Sequence, residues 1–480
     1  LILWWALHQM FFELAGLLGG KPEASPPVAM PVRFVVLYLT CDDFLPDCCL
    51  SCLKQDYPAQ AFRVAVCDDS RSARYRAEVA DFCEKHEGLT LLRRTSLGGG
   101  KAGNLNYAFS QVADGQCDWV VIVDADQELP SDYLTAMASS VASRAPDVAF
   151  VQAGRQPFGT ERALSVPNTA FQDAMESEML MFWERSMRWR QRLGFLPFFG
   201  HGGAIRQEAW KRVGGFPLAV SEDFAFALEA RGHGFRGERD EGIRAWEAYP
   251  KDFGAFLIRI TKYSGGAAEL LRRFMPGFLL GGASVTEKID AVLQLATYLL
   301  MPLALVNLWI STYLCHYLRP GERAQFSPWA PYLFLGMFLL AFPVLVSVQR
   351  SVVRALRHWF WAFSIYAAAL PPAAMHFLMA LVRRPIFRRT PKGWDSTPTD
   401  HVLDAVLFLL GLCGLGFAWF FWSPFSPILA ATATAHVCVP LYRWLHKGFS
   451  FAGRLSRLII YLPGMLFIVG LVMMWLWAID

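Results

Sequence analysis

Five apolar segments in the second half of the chain limit its possible folds more than any other feature of the sequence. Each is close to the ~20 residues that a helix needs to cross a bilayer. The segments are residues 291–310, 332–348, 402–421, 427–445 and 458–478. The chain has 480 residues, and 54% of them are hydrophobic. Because these hydrophobic residues are concentrated in the second half, the chain is predicted to be a membrane protein with a soluble insert.

A sixth apolar segment, residues 359–382, is expected to behave differently from the other five. Pro371-Pro372 interrupts it, and several arginines flank it on both sides. Since basic loops stay on the cytoplasmic side of a membrane, both of its ends are expected there. The segment should therefore lie in the membrane interface or re-enter it, and the loop at 383–400 should face the cytosol.

The remaining composition narrows the class of protein. The net charge of +4 is small for a protein that binds nucleic acid. The basic residues also lie in short loops beside apolar runs rather than on one face, so a nucleic-acid-binding surface is not expected. The ten cysteines show no regular spacing and are expected to be reduced thiols. Residues 1–20 resemble the end of a transmembrane helix rather than a cleavable signal peptide, so the native N-terminus is expected to lie upstream.

Residues 32–252 have the pattern of a soluble α/β domain. Continuous apolar runs at 32–39, 62–66 and 120–123 predict buried parallel strands. The stretches between them, 46–54 and 73–86, have helical composition. The order predicts a Rossmann-like domain that binds its ligand beyond the carboxyl ends of the strands. Residues 253–285 are predicted to form amphipathic helices at the membrane interface, followed by a transmembrane region at 286–480.

Acidic residues cluster at the predicted strand ends. Asp124 and Asp126 follow the third strand directly, so both carboxylates should face one crevice and hold Mg²⁺ or Mn²⁺. The alternative is that they belong to a turn or a helix cap. Asp42 and Asp69 follow the first two strands, and Asp69 is placed to bind the base or ribose of a nucleotide, with a surface turn as the alternative.

Two glycine-containing segments are candidate ligand loops. In residues 98–106 the glycines permit close approach of the backbone, and Lys101 is placed to meet a phosphate, although the pattern is not a P-loop. The alternative is a flexible loop capped onto a helix. The second segment contains Phe199, Gly200 and His201, and it predicts a compact loop against an acceptor chain, in which His201 could equally be structural.

Glu222 and Asp223 supply a third acidic site about a hundred residues after Asp124. A carboxylate there could take the proton of an attacking hydroxyl while a metal neutralises a diphosphate, which is the chemistry of sugar transfer from a nucleotide donor. The alternative is an N-terminal cap pair on the helix that follows. Arg259 and Lys262 could similarly be the cationic face of an interfacial helix.

Taken in order, these motifs resemble the membrane-embedded family 2 glycosyltransferases of the cellulose synthase and hyaluronan synthase type. The resemblance covers almost the whole chain and implies a GT-A catalytic domain. It implies that Asp223, in the catalytic acidic pair Glu222-Asp223, is the general base, and that Asp124 and Asp126 bind metal and donor. It also identifies residues 387–392 as a donor-covering gating loop, whose Arg389 would contact the diphosphate together with Lys262 and Arg259.

This chain departs from that pattern at two places. Lys262 and Tyr263 stand where the processive enzymes carry arginine and tryptophan. Lysine lacks the bidentate fork of arginine, and tyrosine offers the acceptor sugar a smaller stacking surface. Cys41 stands where an aromatic residue is expected near the uracil. These departures leave processivity, acceptor identity and base recognition open.

The resemblance implies an inverting transferase that moves a sugar, from a UDP donor, to a growing β-glucan-like polysaccharide and passes it across a bacterial inner membrane. Its catalytic domain would be cytosolic, and accessory subunits could assist it. One alternative is a non-processive enzyme that glycosylates a lipid carrier, which the change to Lys262 and Tyr263 favours slightly. Another is a transporter or binding protein with a degenerate transferase domain, which would have lost a key carboxylate.

Overall fold

A mixed β-sheet forms the centre of the first half of the chain in this computed structural model. The structure describes residues 7–12, 14–15, 32–112, 117–157, 171–172, 174–175, 179, 186–318, 342–347, 349–385, 401–448 and 452–479. In this part of the chain eight strands form one sheet, in the order β3-β2-β1-β4-β7-β6-β8-β5. They are β1 (Phe34–Thr40), β2 (Phe62–Asp68), β3 (Leu89–Leu92), β4 (Trp119–Asp124), β5 (Gln127–Glu128), β6 (Val148–Pro157), β7 (Gly203–Arg206) and β8 (Arg236–Glu247).

Strand β1 shows why the sheet is buried on both faces. All seven of its residues are buried, and they alternate between two apolar cores. Val35 and Leu37 pack into the core on one face, whereas Val36 and Tyr38 pack into the core on the other. Alternation of this kind in an uninterrupted apolar run is typical of a strand covered by helices on both sides. The predicted α/β class and the three predicted strands are confirmed.

Helices cover both faces of this sheet. Those in the α/β region are Pro46–Leu53, Ala73–Lys85, Gly100–Val112, Tyr133–Ala142, Met187–Leu193, Gln207–Val213 and Glu222–Gly232. The first two confirm the predicted helical stretches. The glycine-containing segment 98–106 is helical from Gly100 onward, so Lys101 lies in a first helical turn rather than in a loop.

Parallel pairing brings the acidic strand ends together. Strand β1 pairs in parallel with β2 and with β4, and Thr40 is in register with Asp68 while Leu39 is in register with Asp124. The carboxyl ends of three neighbouring strands therefore finish at one edge of the sheet. Side chains from residues 40–43, 68–70 and 124–126 are gathered there, as the sequence predicted.

Long helices make up the second half of the chain. Their bounds are Phe253–Arg273, Met275–Leu280, Val285–Tyr317, Val352–Val382, His401–Phe420, Ser426–Gly448 and Ala452–Ile479. Among the described residues, three are long and apolar enough to cross a membrane, namely Val285–Tyr317, Val352–Val382 and His401–Phe420. The last helix contains a shorter apolar stretch at Leu458–Met474. Most of the predicted segment 332–348 lies outside the described residues, as does most of 1–20.

Residues 359–382 do not break at Pro371-Pro372 as the sequence suggested, because Val352–Val382 is one continuous helix. A proline in a helix removes the donor to the carbonyl four residues earlier, which for Pro371 is that of Ala367. His436 from a neighbouring helix places its Nε2 3.0 Å from that carbonyl oxygen. A side chain thus replaces the missing donor, and the helix continues.

Candidate active site

A cavity of about 490 Å³ opens at the carboxyl edge of the parallel strands. Most of the residues predicted from the sequence to carry function line it. These are Asp42, Asp69, Lys101, Asp124, Asp126, Phe199, His201, Glu222, Asp223, Lys262 and Tyr263. Asp124, Asp126 and Asp223 therefore share one cavity although a hundred residues separate the first from the last.

Two of the predicted residues that the structure describes, Gly200 and Arg259, do not line this cavity. Gly200 lies just behind its wall, with φ at +81° and its carbonyl oxygen 3.0 Å from Lys101 Nζ. A Cβ atom at Gly200 would lie 2.8 Å from Asp223 Oδ2, so only glycine fits there. Arg259 lies one turn before Tyr263 on helix Phe253–Arg273. Arg389 and the predicted gating loop at 387–392 lie outside the described residues.

Lys101 lies at the centre of the acidic groups. Its Nζ donates to Asp124 Oδ1 at 2.7 Å and lies 4.0 Å from Glu222 Oε1. Burial alone would lower the pKa of this ammonium, but the charges of Asp124, Glu222 and Asp223 outweigh burial and raise it. Lys101 is therefore a permanent positive charge between the strand-end carboxylate and the Glu222-Asp223 pair.

Glu222 and Asp223 occupy the first turn of helix Glu222–Gly232. Glu222 is buried, whereas Asp223 is half-buried and its Oδ1 accepts from the backbone N–H of Phe224 at 2.8 Å. Burial, and then the charge of Asp223, raise the pKa of Glu222 to about 7, although Lys101 opposes the shift. The position at a helix N-terminus fits the capping alternative, and the cavity makes Asp223 accessible as well.

The nucleotide-binding candidates Asp42 and Asp69 are already held by the protein. Asp42 has φ at +57°, unusual for a residue other than glycine, and its Oδ1 accepts from the backbone N–H groups of Arg71 and Ser72. It thereby holds the start of helix Ala73–Lys85. Asp69 receives both arms of Arg94, at 2.8 Å from Nε to Oδ1 and 2.5 Å from Nη2 to Oδ2.

The sequence analysis does not identify Arg93 and Arg94, which also shape the site. They follow strand β3, and Arg93 Nε donates to Asp68 Oδ2 at 2.6 Å. The available signal was that β3 ends beside β2, so residues after both strands must meet. The two arginines hold the Asp68-Asp69 pair in one orientation at the cavity edge.

The loop of Phe199, Gly200 and His201 is held from below by Gln152. The Gln152 Nε2 donates to the His201 carbonyl at 3.0 Å, and its Oε1 accepts from the Phe199 backbone N–H at 3.2 Å. His201 lies between two carboxylates, with Nε2 3.7 Å from Asp124 Oδ2 and Nδ1 3.6 Å from Glu247 Oε2. This arrangement places the imidazole against the strand-end carboxylate.

Helix Phe253–Arg273 supplies the opposite wall of the cavity. Lys262 and Tyr263 face the cavity, and the Lys262 Nζ lies 5.4 Å from the centre of the Tyr263 ring. Arg259, one turn earlier, donates from Nε to the Tyr263 hydroxyl at 3.1 Å. Arg259 and Tyr263 are four residues apart and lie side by side on this helix, so the arginine supports the Tyr263 side chain. Its role in binding the donor stays a prediction.

The donor set at the strand end suits a hard divalent cation that substrate oxygens complete. Asp126 is 5% exposed and faces the cavity, while one oxygen of Asp124 is bound to Lys101. In the described part of the chain no group of three or more His, Cys, Asp or Glu side chains is assembled around a metal position. Carboxylate oxygens with few protein partners fit Mg²⁺ or Mn²⁺ held jointly with phosphate oxygens.

Several curated proteins are similar to this chain. A curated relative from Arabidopsis thaliana, named probable glucomannan 4-beta-mannosyltransferase 1, is 27% identical over 222 residues, which cover 45% of this chain and 39% of that protein. The match thus spans about two fifths of the plant relative. A probable glycosyltransferase of Sulfolobus acidocaldarius is 24% identical over 73% of this chain and 74% of its own length.

Among solved structures, the mannosyltransferase PcManGT from Pyrobaculum calidifontis, in complex with GDP-Man and Mn²⁺, is 21% identical. It aligns with a TM-score of 0.47 over 78% of this chain and 94% of its own. The family model described as glycosyl transferase family group 2 matches residues 119–479. Because that match spans well over half of the chain, the protein belongs to glycosyl transferase family group 2, which makes it a glycosyltransferase with the GT-A type of α/β domain that its motifs implied.

Proposed function

We propose that this enzyme transfers a hexose, with inversion, from a nucleoside diphosphate donor to a glycan acceptor at a membrane surface. The observation that carries the proposal is the shared cavity of Asp124, Asp126 and Asp223, with Lys101 among them. In this arrangement Asp223 takes the proton of the acceptor hydroxyl as that oxygen attacks the anomeric carbon. Lys262 on the opposite wall, and Arg389 in the predicted gating loop, stabilise the departing diphosphate.

A divalent cation, when bound, neutralises the leaving diphosphate in this proposal. Asp126 is its main protein ligand, with Asp124 as the second. Lys101 holds one oxygen of Asp124, and the other lies 3.7 Å from His201 Nε2. Asp42 and Asp69 face the nucleoside, each held in place by its own protein partners.

The acceptor lies along Tyr263 and the loop of Phe199, Gly200 and His201 in this proposal. A tyrosine ring offers a sugar a stacking face, and the Tyr263 side chain is held by Arg259. Helix Phe253–Arg273, which carries Tyr263, packs against the candidate membrane helix Val352–Val382, so an acceptor chain has a short route toward the membrane. In this proposal the polymer is extended and exported, and the catalytic domain lies in the cytosol.

The sugar is the least constrained part of the proposal. The sequence resemblance favoured UDP-glucose, whereas the names of the plant relatives favour mannose. The competing function is transfer of one sugar to a lipid carrier, which the replacement of arginine and tryptophan by Lys262 and Tyr263 favours.

Purified protein in lipid vesicles, supplied with Mn²⁺ or Mg²⁺ and radiolabelled UDP-glucose or GDP-mannose, tests the proposal directly. We expect one donor to give a labelled product that elutes early from a size-exclusion column, as a polymer does, and that a β-specific glycanase cuts. A product confined to the organic phase as a single-sugar lipid would contradict the polymer. An α-linked product would contradict inversion.

A further inference from the structure

Helix Phe253–Arg273 lies between the segment at 218–223, which leads into Asp223, and the candidate membrane helix Val352–Val382. On its membrane side, Ser264 Oγ donates to the Ala373 carbonyl at 2.5 Å, and Arg272 Nη1 donates to the Leu381 carbonyl at 3.5 Å. Ser264 is fully buried at this contact. Two hydrogen bonds therefore connect this helix to Val352–Val382.

On its other side, the same helix holds the segment that leads into Asp223. Glu269, only 3% exposed, accepts from the backbone N–H of Val220 with Oε2 at 3.0 Å. Its other oxygen binds Arg273, whose Nη1 also donates to the Leu218 carbonyl at 3.1 Å. A buried carboxylate and its paired arginine thus fix two backbone positions just before the catalytic pair.

Gly266 brings the helix and the segment into backbone contact. A Cβ atom at this position would overlap Ser221 Oγ and lie 3.3 Å from Ser221 Cβ. Ser221 is the N-cap residue of helix Glu222–Gly232, and its carbonyl accepts from the Ala225 backbone N–H at 3.0 Å. Helix Phe253–Arg273 therefore sets where Ser221 lies, and Asp223 follows two residues later.

We propose that Glu269 is a positioning residue for the transfer reaction. It fixes the Val220 backbone, and through it the placement of Asp223 relative to Lys262 and Tyr263 on the same helix. This inference rests on the proposed role of Asp223 as the base. Helix Phe253–Arg273 then carries two features at once. Lys262 and Tyr263 form the acceptor side of the cavity, and Glu269 holds the segment at 218–223 that leads to the base.

Substitution of Glu269 by Met and by Gln separates positioning from bulk packing. Met fills the space but gives Val220 no acceptor, whereas Gln keeps one acceptor oxygen for Val220 and exchanges the other, which faces Arg273, for an NH2 group. We expect E269M to lower kcat at least about tenfold, since small misplacements of catalytic groups are costly. The dissociation constant of E269M for the nucleoside diphosphate should stay within about twofold of the wild-type value. E269Q should recover most of kcat.

The matched control is Glu287→Gln. Glu287 also pairs with an arginine, at 2.7 Å from Arg231 Nε, and its other described hydrogen-bond partner is Ser284 rather than a residue of the segment at 218–223. E287Q should leave kcat unchanged. Equal kcat in E269M and wild type would overturn the inference, and so would equal losses in E269M and E269Q.

Gly266→Ala tests the same placement in a protein that is expected to fold, because alanine favours a helix more than glycine does. The added methyl pushes on Ser221, so G266A should lower kcat as E269M does, and the double variant G266A/S221G should regain activity. A G266A variant with wild-type kcat would contradict the inference even if E269M does not fold. If D223N keeps its turnover, the proposed base is wrong; if D223N is inactive and G266A is unaffected, only the positioning role fails.

Discussion

Glu222 and Asp223 are neighbours in the chain but have different surroundings. Glu222 is buried beside Lys101, whereas Asp223 is half-buried at the cavity wall and next to Gly200. A carboxylate that is to accept a proton from a substrate must reach the cavity, and a buried one tunes the local charge instead. The geometry therefore separates the two roles within one dipeptide.

Glu222 should make the stability of the protein depend on pH. Burial raises its pKa in the folded protein to about 7, from an ordinary value of 4.5. Folding therefore favours the neutral form of Glu222. The contribution of this carboxyl to the stability of the fold is complete below pH 4.5 and is lost as the pH rises to about 7. The slope is at most about 1.4 kcal/mol per pH unit.

The E222Q variant tests this, because glutamine stays neutral at every pH. We expect its thermal midpoint in detergent to fall less than that of wild type between pH 4.5 and 7. Parallel pH profiles for the two proteins would contradict a raised pKa at Glu222.

The sequence identified the strand-end carboxylates but not what holds them. Asp124, Asp126 and Asp69 follow apolar runs that read as buried strands, so their convergence could be predicted from topology alone. The arms of Arg94 on Asp69, and the αL backbone of Asp42, depend on loop paths that have no periodic signal. Local contacts of this kind decide which oxygen of each carboxylate remains for a ligand.

At the scale of elements, the helix Val352–Val382 shows where local preference gives way to tertiary contacts. Pro371 and Pro372 predict a break from sequence alone. The break does not occur, because His436 lies 69 residues away in sequence and supplies a donor at the Ala367 carbonyl. Single-sequence reasoning has no access to that pairing.

His436→Leu should therefore destabilise the helical region. The Ala367 carbonyl would lose its donor in a buried position, at a cost of about 1–3 kcal/mol. Replacing Pro371 by alanine restores a backbone N–H for that carbonyl, so the double variant H436L/P371A should lose less than H436L does. Thermal unfolding in detergent measures both. If H436L is as stable as wild type, or if P371A gives no rescue, the explanation of the continuous helix is wrong.

At the scale of the whole molecule, a buried ion pair and a backbone hydrogen bond join the catalytic domain to the first candidate membrane helix. Asp290, near the start of Val285–Tyr317, accepts from Arg190 Nε at 3.1 Å and from the Phe195 backbone N–H at 2.9 Å. These partners are about a hundred residues apart in sequence. The apolar segments predicted a membrane region, but nothing in their pattern indicated how the domain would be attached to it.

Two exposed cysteines report the orientation proposed for the molecule. Cys41 lines the cavity and Cys413 lies on the outside of helix His401–Phe420. Burial, and then the nearby carboxylates, raise the pKa of the Cys41 thiol to about 11, so labelling needs mildly alkaline buffer. In a C83S background, which removes a half-buried thiol, a membrane-impermeant maleimide should label Cys41 in inside-out vesicles and not in intact cells.

Cys413 should remain unlabelled in both preparations, because the lipid covers it, and should react after solubilisation in detergent. Bound nucleoside diphosphate should protect Cys41. Labelling of Cys41 from the outer side of intact cells would contradict a cytosolic cavity, and labelling of Cys413 in sealed vesicles would contradict its place in the bilayer.

The central claim is that carboxylates distant in sequence act on one sugar, with Asp223 as the base. The most direct test measures turnover and donor binding of D223N beside D132N, whose exposed Asp132 has no capping hydrogen bond. We predict that D223N binds donor as wild type does but loses turnover by about 10²–10⁴-fold, while D132N is unaffected. Wild-type turnover in a D223N protein that still binds donor would contradict the account.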